Sequence, residues 1–281
     1  MISVVMPARD EGAVIARTLR SMTAGAIAGE LDVIVVCNGC SDNTANIARG
    51  IGSPVRVIET EVGSKTHALN LGDQAARTFP RIYADADVEV TVDTIRALAR
   101  RLEQGDVLAV APTAQFDLTG CSWLVRAFFG VRSRLPSSQE GIGGSGVYAL
   151  SEAGRARFGP FPTLVADDGY VRVQFAPDER ATIGSARSTV FAPRTIKDVI
   201  NIKTRAHYGS FELAKLFPTL WHNKGESNHR AIIKLLGRPA SWPKLSIYCF
   251  VMALARHRAR IRLRTNGCKW ERDDASRAGT R

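Results

Sequence analysis

Two aspartates separated by one alanine, Asp85-Ala86-Asp87, follow the short apolar run Arg81-Ile82-Tyr83-Ala84. In an extended stretch residues i and i+2 project to the same side. Both carboxylates can then meet one divalent cation at the carboxyl end of a strand, the edge where open α/β sheets bind ligands. A hard cation held by one or two carboxylates, with water and phosphate oxygens completing its shell, is the usual chemistry of nucleotide sites. Asp-x-Asp is also frequent in solvated turns, so its neighbourhood has to decide. A second acidic pair, Asp167-Asp168, reads on its own as a helix N-terminal pair favoured by the helix dipole. Cys37 and Cys40 form a Cys-x-x-Cys, which would be a redox pair or half a zinc site. The remaining cysteines, Cys121, Cys249 and Cys268, are scattered, so small residues in a tight loop are expected instead. Gly141-Ile-Gly-Gly-Ser-Gly146 is glycine-dense but ends in no lysine; it is expected as a flexible floor for a ligand or as a plain bulge.

The elements that must position these groups alternate. Ile2–Met6, Leu31–Val36, Val55–Ile58, Arg81–Ala84 and Val107–Val110 are short apolar runs expected as strands. Between them lie helical patterns carrying Ile15, Leu19 and Met22, then Ala68, Leu69 and Leu71, then Ile95, Leu98, Ala99 and Leu102. Ser41 or Asp42 can cap the helix after the second strand, and Ser64 the one after the third. Such alternation predicts an α/β fold, a Rossmann-like and mostly parallel sheet flanked by helices. The polar loops all follow strands and gather along one edge. Trp123, Phe128 and Phe129 are expected in the core.

Five segments in this order resemble family 2 glycosyltransferases, which have the GT-A fold. Pro7-Ala8-Arg9-Asp10-Glu11 is similar to the family's first nucleotide loop, and Val36–Thr44 to its Asp-Asp-Gly-Ser-x-Asp-x-Thr loop. Gly63–Gly72 is similar to its Gly-Lys-x-x-Ala-Leu-Asn-x-Gly segment. Asp85-Ala86-Asp87 falls at its Asp-x-Asp, and Ala166-Asp167-Asp168 where it has a Glu-Asp pair. The resemblance implies a metal-dependent inverting transfer of a sugar, of hexosyltransferase type, from a nucleoside-diphosphate sugar to an acceptor hydroxyl. It implies Asp168 as general base with Asp167 beside it. Pro7, Ala8, Arg9, Glu11, Asn38, Lys65, Asp85, Ala86 and Asp87 would contact the donor, with Asp87 on Mg²⁺ or Mn²⁺ and Asp85 on the ribose or the same metal. Lys203, Arg205 and His207 lie where members often carry a basic diphosphate-binding motif. Cys37 and Asn38 stand where the family has two aspartates; a thiol is a poor acceptor, and Asn38 or the backbone is expected to replace the contact.

The resemblance spans about residues 1–215, read as a nucleotide-sugar half, 1–111, and an acceptor half, 112–215. Residues 216–281 are expected as a loop and a basic, amphipathic, helical extension. Within it, 218–230 read as a mobile loop suited to a lid, with His222 and His229 as exposed loop histidines. The net charge is +11, and residues 256–281 hold nine Lys or Arg against three Asp or Glu, a net +6. Trp242–Ala255, apolar and aromatic, precedes Arg256, Arg258, Arg260, Arg262 and Arg264. It is too short to span a bilayer and reads either as an interfacial anchor on anionic lipid or as a packed helix with a solvated basic end. The apolar start is only five residues and is followed by Pro, Arg, Asp and Glu, so it is not expected as a signal peptide, and the scattered cysteines fit a reducing compartment. A cytoplasmic protein, peripheral on the inner face of the plasma membrane, is expected, with a glycan or lipid-linked acceptor for polysaccharide biosynthesis. Two alternatives carry less. A basic nucleic-acid-binding protein lacks any recognition-helix, zinc-finger or RNP pattern, so no nucleic acid is expected as partner. A sugar nucleotidyltransferase would want a glycine-rich loop where Pro7–Glu11 stands.

Overall fold

The computed structural model describes residues 1–225 and 228–265. In chain order the first elements are β1 (Ile2–Ala8), α1 (Ile15–Thr23), β2 (Leu31–Asn38), α2 (Thr44–Arg49), β3 (Val55–Thr60), α3 (Lys65–Ala75), β4 (Arg81–Ala84), β5 (Val88–Val90), α4 (Val92–Glu103) and β6 (Ala109–Asp117). They are followed by α5 (Trp123–Arg132), α6 (Pro136–Gln139), β7 (Val147–Leu150), α7 (Glu152–Arg155), α8 (Asp167–Val173), β8 (Arg180–Phe191), α9 (Ile196–Leu216), α10 (His229–Leu236) and α11 (Trp242–Arg264).

The chain forms two compact units. The first takes residues 1–115, 141–163 and 174–190, and the second the remainder. The chain thus does not partition at 111 or at 215. Segments beyond 111 return to the first unit because β7 must pair with β4 and β8 with β5. The helix ending at 216 and the extension after it share the second unit.

The first unit holds an eight-stranded sheet in the order β3-β2-β1-β4-β7-β6-β8-β5. The expected parallel arrangement holds for β3, β2, β1 and β4. From β7 onward pairing is antiparallel, as in β4–β7, β6–β7 and β5–β8, so the sheet is mixed. Strand β2 is buried along its whole length, as a parallel strand covered on both faces must be. Ile15, Leu19 and Met22 of α1, and Ile95, Leu98 and Leu102 of α4, enter one core with Val4, Met6, Val33, Val35 and Ile82. Behind the sheet, Asp73 of α3 accepts hydrogen bonds from Tyr83 Oη at 2.5 Å, Arg81 Nη1 at 2.6 Å and Arg155 Nε at 2.8 Å. Three donors on β4 and α7 are thereby tied to one buried carboxylate.

The second unit is helical. Phe128, Phe129 and Val131 of α5, Val199 and Ile200 of α9, and Leu245, Tyr248 and Val251 of α11 make its core. Phe128 and Phe129 are buried as expected, but Trp123, at the first position of α5, is 69% exposed. A residue in the first turn has no preceding turn to pack on, and here α5 buries the face of Val125 and Phe128 instead.

Candidate active site

Register sets one edge of the parallel strands in the first unit. Ala8 of β1 pairs with Cys37 of β2, and Cys37 with Glu59 of β3, so three strands end level. The loops leaving them interlock. Asp10, at φ 49°, accepts from the backbone N–H groups of Ser41 at 2.5 Å and Asp42 at 3.3 Å. Asp42 in turn accepts from Gly12 N at 3.0 Å and Thr44 N at 3.0 Å, and Thr44 Oγ1 receives the Glu11 N–H at 2.7 Å. Asp42 thus supports the start of α2 from one residue before the N-cap, which is Asn43. The Asp10, Cys40 and Asp42 ligand atoms lie within 4.8 Å of one another, but these hydrogen bonds already commit both carboxylates to holding the loops.

The Cys-x-x-Cys dissolves into the same scaffold. Cys37 is buried in the sheet core, where burial first, then neighbouring Cys40, push its thiol up to about 12. Cys40 Sγ receives the Asp10 N–H at 3.4 Å. Neither is in a disulfide. Pro7 and Ala8 end β1, and Glu11 and Asn38 are buried at the same edge. Arg9 Nη1 donates to Gly63 O at 3.3 Å across the loop after β3.

Ser64 caps α3, accepting from His67 N at 3.3 Å, which fixes Lys65 as its first residue. Lys65 Nζ reaches Asp85 Oδ1 at 2.8 Å. The Asp85-Ala86-Asp87 segment is not extended: β4 ends at Ala84, and Val88 N–H donates to Asp85 O at 3.2 Å, closing a turn. The alternation argument for two carboxylates on one side is corrected accordingly. A tight turn presents them, with Ala86 turned into the core. Asp85 N–H donates to Gly146 O at 2.8 Å. Gly146 has φ +66°, and a Cβ there would stand 2.6 Å from Val88 Cγ2 and 3.3 Å from Asp85 Oδ2. Gly141 is as close, with a Cβ falling 2.5 Å from Pro112 O. Gly146 is therefore tightly packed against Asp85 and Val88, and Gly141 against Ala111 and Pro112.

In the second unit Asp167 and Asp168 open α8, Asp167 buried and Asp168 half-buried. The loop before them is held by α9. Val165 N–H donates to Glu212 Oε2 at 3.0 Å, and a Cβ on Gly209 would meet Ala166 Cβ at 2.6 Å. The same helix carries Lys203, Arg205 and His207. Burial and then the Arg132 charge hold the Lys203 amine well below its ordinary pKa; Asp168 opposes this and Arg205 adds to it. Arg132 itself is pushed down to about 10 by burial, its guanidinium 4.9 Å from the Phe116 ring centroid. Burial, then Lys203 and Arg256, bring His207 down to about 4, so it is neutral at pH 7 and offers no positive charge. Arg132 is the cation that the motifs did not reveal; it sits inside the apolar Trp123–Arg132 run.

The segment 218–230 contains one short helical turn, Trp221–Lys224. Asn223 is buried there and donates from Nδ2 to Val173 O at 3.0 Å. His222 and His229 are exposed. Residues 226, 227 and 266–281, with Cys268 and the end of the basic tail, lie outside the described residues.

Residues 3–141 match the sequence profile of glycosyl transferase family 2. No curated protein matches the chain. Among solved structures the fold is similar to the mannosyltransferase PcManGT from Pyrobaculum calidifontis, determined with GDP-Man and Mn²⁺. That likeness has a TM-score of 0.67 at 18% identity, covering 95% of this chain and 88% of the other. It is also similar to glucosyl-3-phosphoglycerate synthase from Mycobacterium tuberculosis in complex with Mn²⁺, UDP and glucosyl-3-phosphoglycerate. There the TM-score is 0.55 at 19% identity, covering 76% of this chain and 79% of the other. A further structure of that synthase, with Mg²⁺ and UDP, gives a TM-score of 0.54 at 19% identity over 76% and 78%.

Proposed function

We propose, from the membership of residues 3–141 in glycosyl transferase family 2, that this protein is an inverting glycosyltransferase. It moves a hexose from a nucleoside-diphosphate sugar to the hydroxyl of a glycan or lipid-linked acceptor, in polysaccharide biosynthesis at the cytoplasmic face of the plasma membrane. The family match carries the reading, and the Asp85–Asp87 turn beside Lys65 supports its donor side.

Pro7, Ala8, Arg9, Glu11 and Asn38 line the nucleoside, on the edge where β1 and β2 end. The turn fits a hard divalent cation: two carboxylates within three residues, only oxygen ligands, and a cradle kept open by Gly146. Asp87 and Asp85 would hold Mg²⁺ or Mn²⁺, which when bound offsets the charge of the diphosphate leaving group. Lys65, paired with Asp85, adds a point charge toward the phosphates. Lys203 and Arg205 bring positive charge to the diphosphate from α9, and His207 acts there as a neutral hydrogen-bonding group. An anion near Lys203 would restore the charged form that burial penalises.

Asp168 takes the proton from the attacking hydroxyl. Single displacement inverts the anomeric centre and needs one base and no covalent nucleophile. Asp167, buried beside it, holds the loop in the first turn of α8, where the helix dipole favours negative charge.

The test is product analysis with UDP- and GDP-hexoses, Mn²⁺ or Mg²⁺, and saccharide acceptors. Release of nucleoside diphosphate with a glycoside of inverted anomeric configuration is expected. In a parallel assay with UTP or GTP and a hexose 1-phosphate, release of pyrophosphate would make the protein a nucleotidyltransferase, and in the transfer assay retention of configuration would remove the single-displacement mechanism.

A further inference from the structure

Helix α11 has a buried side and an exposed side. Leu245, Tyr248, Val251, Ala255 and Ala259 are buried, and the first three join the helical core. Arg256 and Arg260 lie 5.9 Å from the Phe211 ring of α9. The arginine-rich end of α11 is thus partly engaged with its own unit. Large apolar side chains are exposed elsewhere: Ile233 at 65% and Leu236 at 52% on α10, Trp242 at 55% and Phe250 at 66% on α11. Ile233 and Leu236 are three residues apart, neighbours on one helix face. Trp242 Nε1 donates to Leu236 O at 2.8 Å, which joins the end of α10 to the start of α11. Exposed basic residues Arg230, Lys234, Arg238 and Lys244 lie among them. From residue 228 to 265 the chain has nine Lys or Arg and no Asp or Glu.

We infer that α10 and the first half of α11 form a docking face for an anionic lipid bilayer, with Ile233, Leu236, Trp242 and Phe250 entering the interface and Arg230, Lys234, Arg238 and Lys244 meeting headgroup phosphates. This deepens the acceptor side of the proposed function, by placing the enzyme where a lipid-linked acceptor resides. Amphipathic surfaces of this kind lie in the interface plane, bound by apolar burial together with charge attraction. No helix among the described residues is long and apolar enough to cross a membrane. A second copy is a poor occupant, because pairing this face with itself would oppose two purely basic surfaces. Nucleic acid would satisfy the charges and leave four large apolar side chains without a partner.

The experiment is co-sedimentation of the full chain with vesicles of phosphatidylcholine mixed with phosphatidylglycerol, against phosphatidylcholine alone, at rising salt. Binding to the mixed vesicles is expected, weakening with salt. Replacing Arg230, Lys234 and Lys244 together with serine should weaken it roughly 100-fold, at the usual contribution of each surface charge. Ile233→Ser with Phe250→Ser should weaken it at least about tenfold, from lost apolar burial. Serine at the exposed Arg20, Arg77 and Arg100 of the sheet unit removes as much charge and should leave binding unchanged. Circular dichroism melting checks that each variant is folded. Three results would overturn the inference: no binding to mixed vesicles at low salt, equal binding to neutral ones, or a concentration-dependent dimer abolished by Ile233→Ser with Phe250→Ser. Donor turnover without vesicles is measured on the same samples. Vesicle binding without turnover keeps the docking face and removes the transferase reading; turnover without vesicle binding does the reverse.

Discussion

The Lys65 ammonium lies 2.8 Å from Asp85 Oδ1, bridging the first turn of α3 to the turn after β4. This ion pair ties the Asp85 carboxylate to the first turn of α3. Lysine is a compact point charge on a flexible stem, so it can pass from carboxylate to phosphate when an anionic ligand arrives. In the proposed donor site Asp85 would hold the metal and Lys65 would meet the diphosphate.

Asp87→Ala is therefore expected to abolish the Mn²⁺-dependent part of UDP or GDP binding, with little change in melting temperature, since Asp87 is only half-buried. Thermal shift with and without chelator measures this. For a sense of scale, nucleotide at a hundred times its Kd stabilises the wild type by about 2.7 kcal/mol. A shift that persists in Asp87→Ala and ignores chelator would sink the metal role.

Asp168→Asn keeps the shape of the side chain and its bond from Gly169 N–H at 2.7 Å, but cannot take a proton. A turnover loss of about 10²–10⁴-fold is expected, with donor binding retained. Wild-type turnover in this variant would shift the assignment to Asp167.

Much of this was legible in the sequence, for identifiable reasons. Strands β1, β2 and β4 are continuous buried runs, and α1 and α4 bury one face at helical spacing; such patterns are what a sequence displays. Strand β8 was not legible. Its residues Arg180–Phe191 are half-exposed, include Gly184 and two serines, and owe their structure to pairing with β5 far away in the chain. The interleaving of the two units has the same origin, since nonlocal pairing leaves no local mark. At the site, residue types were readable but geometry was not. Asp85 and Asp87 were read from strand alternation and are in fact carried by a turn. The role of Asp10 and Asp42 as loop ties, and the burial that neutralises His207, depend on tertiary contacts.

Gly146→Ala tests the support beneath Asp85. Its φ of +66° disfavours any side chain, and the new Cβ would press on Val88. A cost of about 1–3 kcal/mol is expected from the backbone conformation, read as a lower denaturation midpoint. Metal-dependent nucleotide affinity should fall as well, because Asp85 N–H bonds to Gly146 O. Unchanged stability would mean the turn relaxes freely and does not hold Asp85.

Asp73 should govern acid stability. Burial raises its pKa, but the hydrogen bonds from Tyr83, Arg155 and Arg81 outweigh burial and hold it below the usual carboxylate value. A carboxyl depressed in the folded state contributes stability that is fully present above its unfolded pKa, about 3.9, and is lost as pH falls through the lower folded value. His207 adds to the acid loss at higher pH: its folded pKa of about 4 lies below the unfolded value near 6.5, so the unfolded state takes up the proton first as pH drops between them. Stability of the wild type should thus decline in two stages. Asp73→Asn should remove the lower stage and cost about 3–5 kcal/mol at neutral pH, since Arg81 and Arg155 would be left facing a neutral amide. His207→Gln should remove the upper stage alone. Denaturant midpoints from pH 7 to pH 3 measure both, and a wild-type profile flat across that range would contradict the two buried environments together.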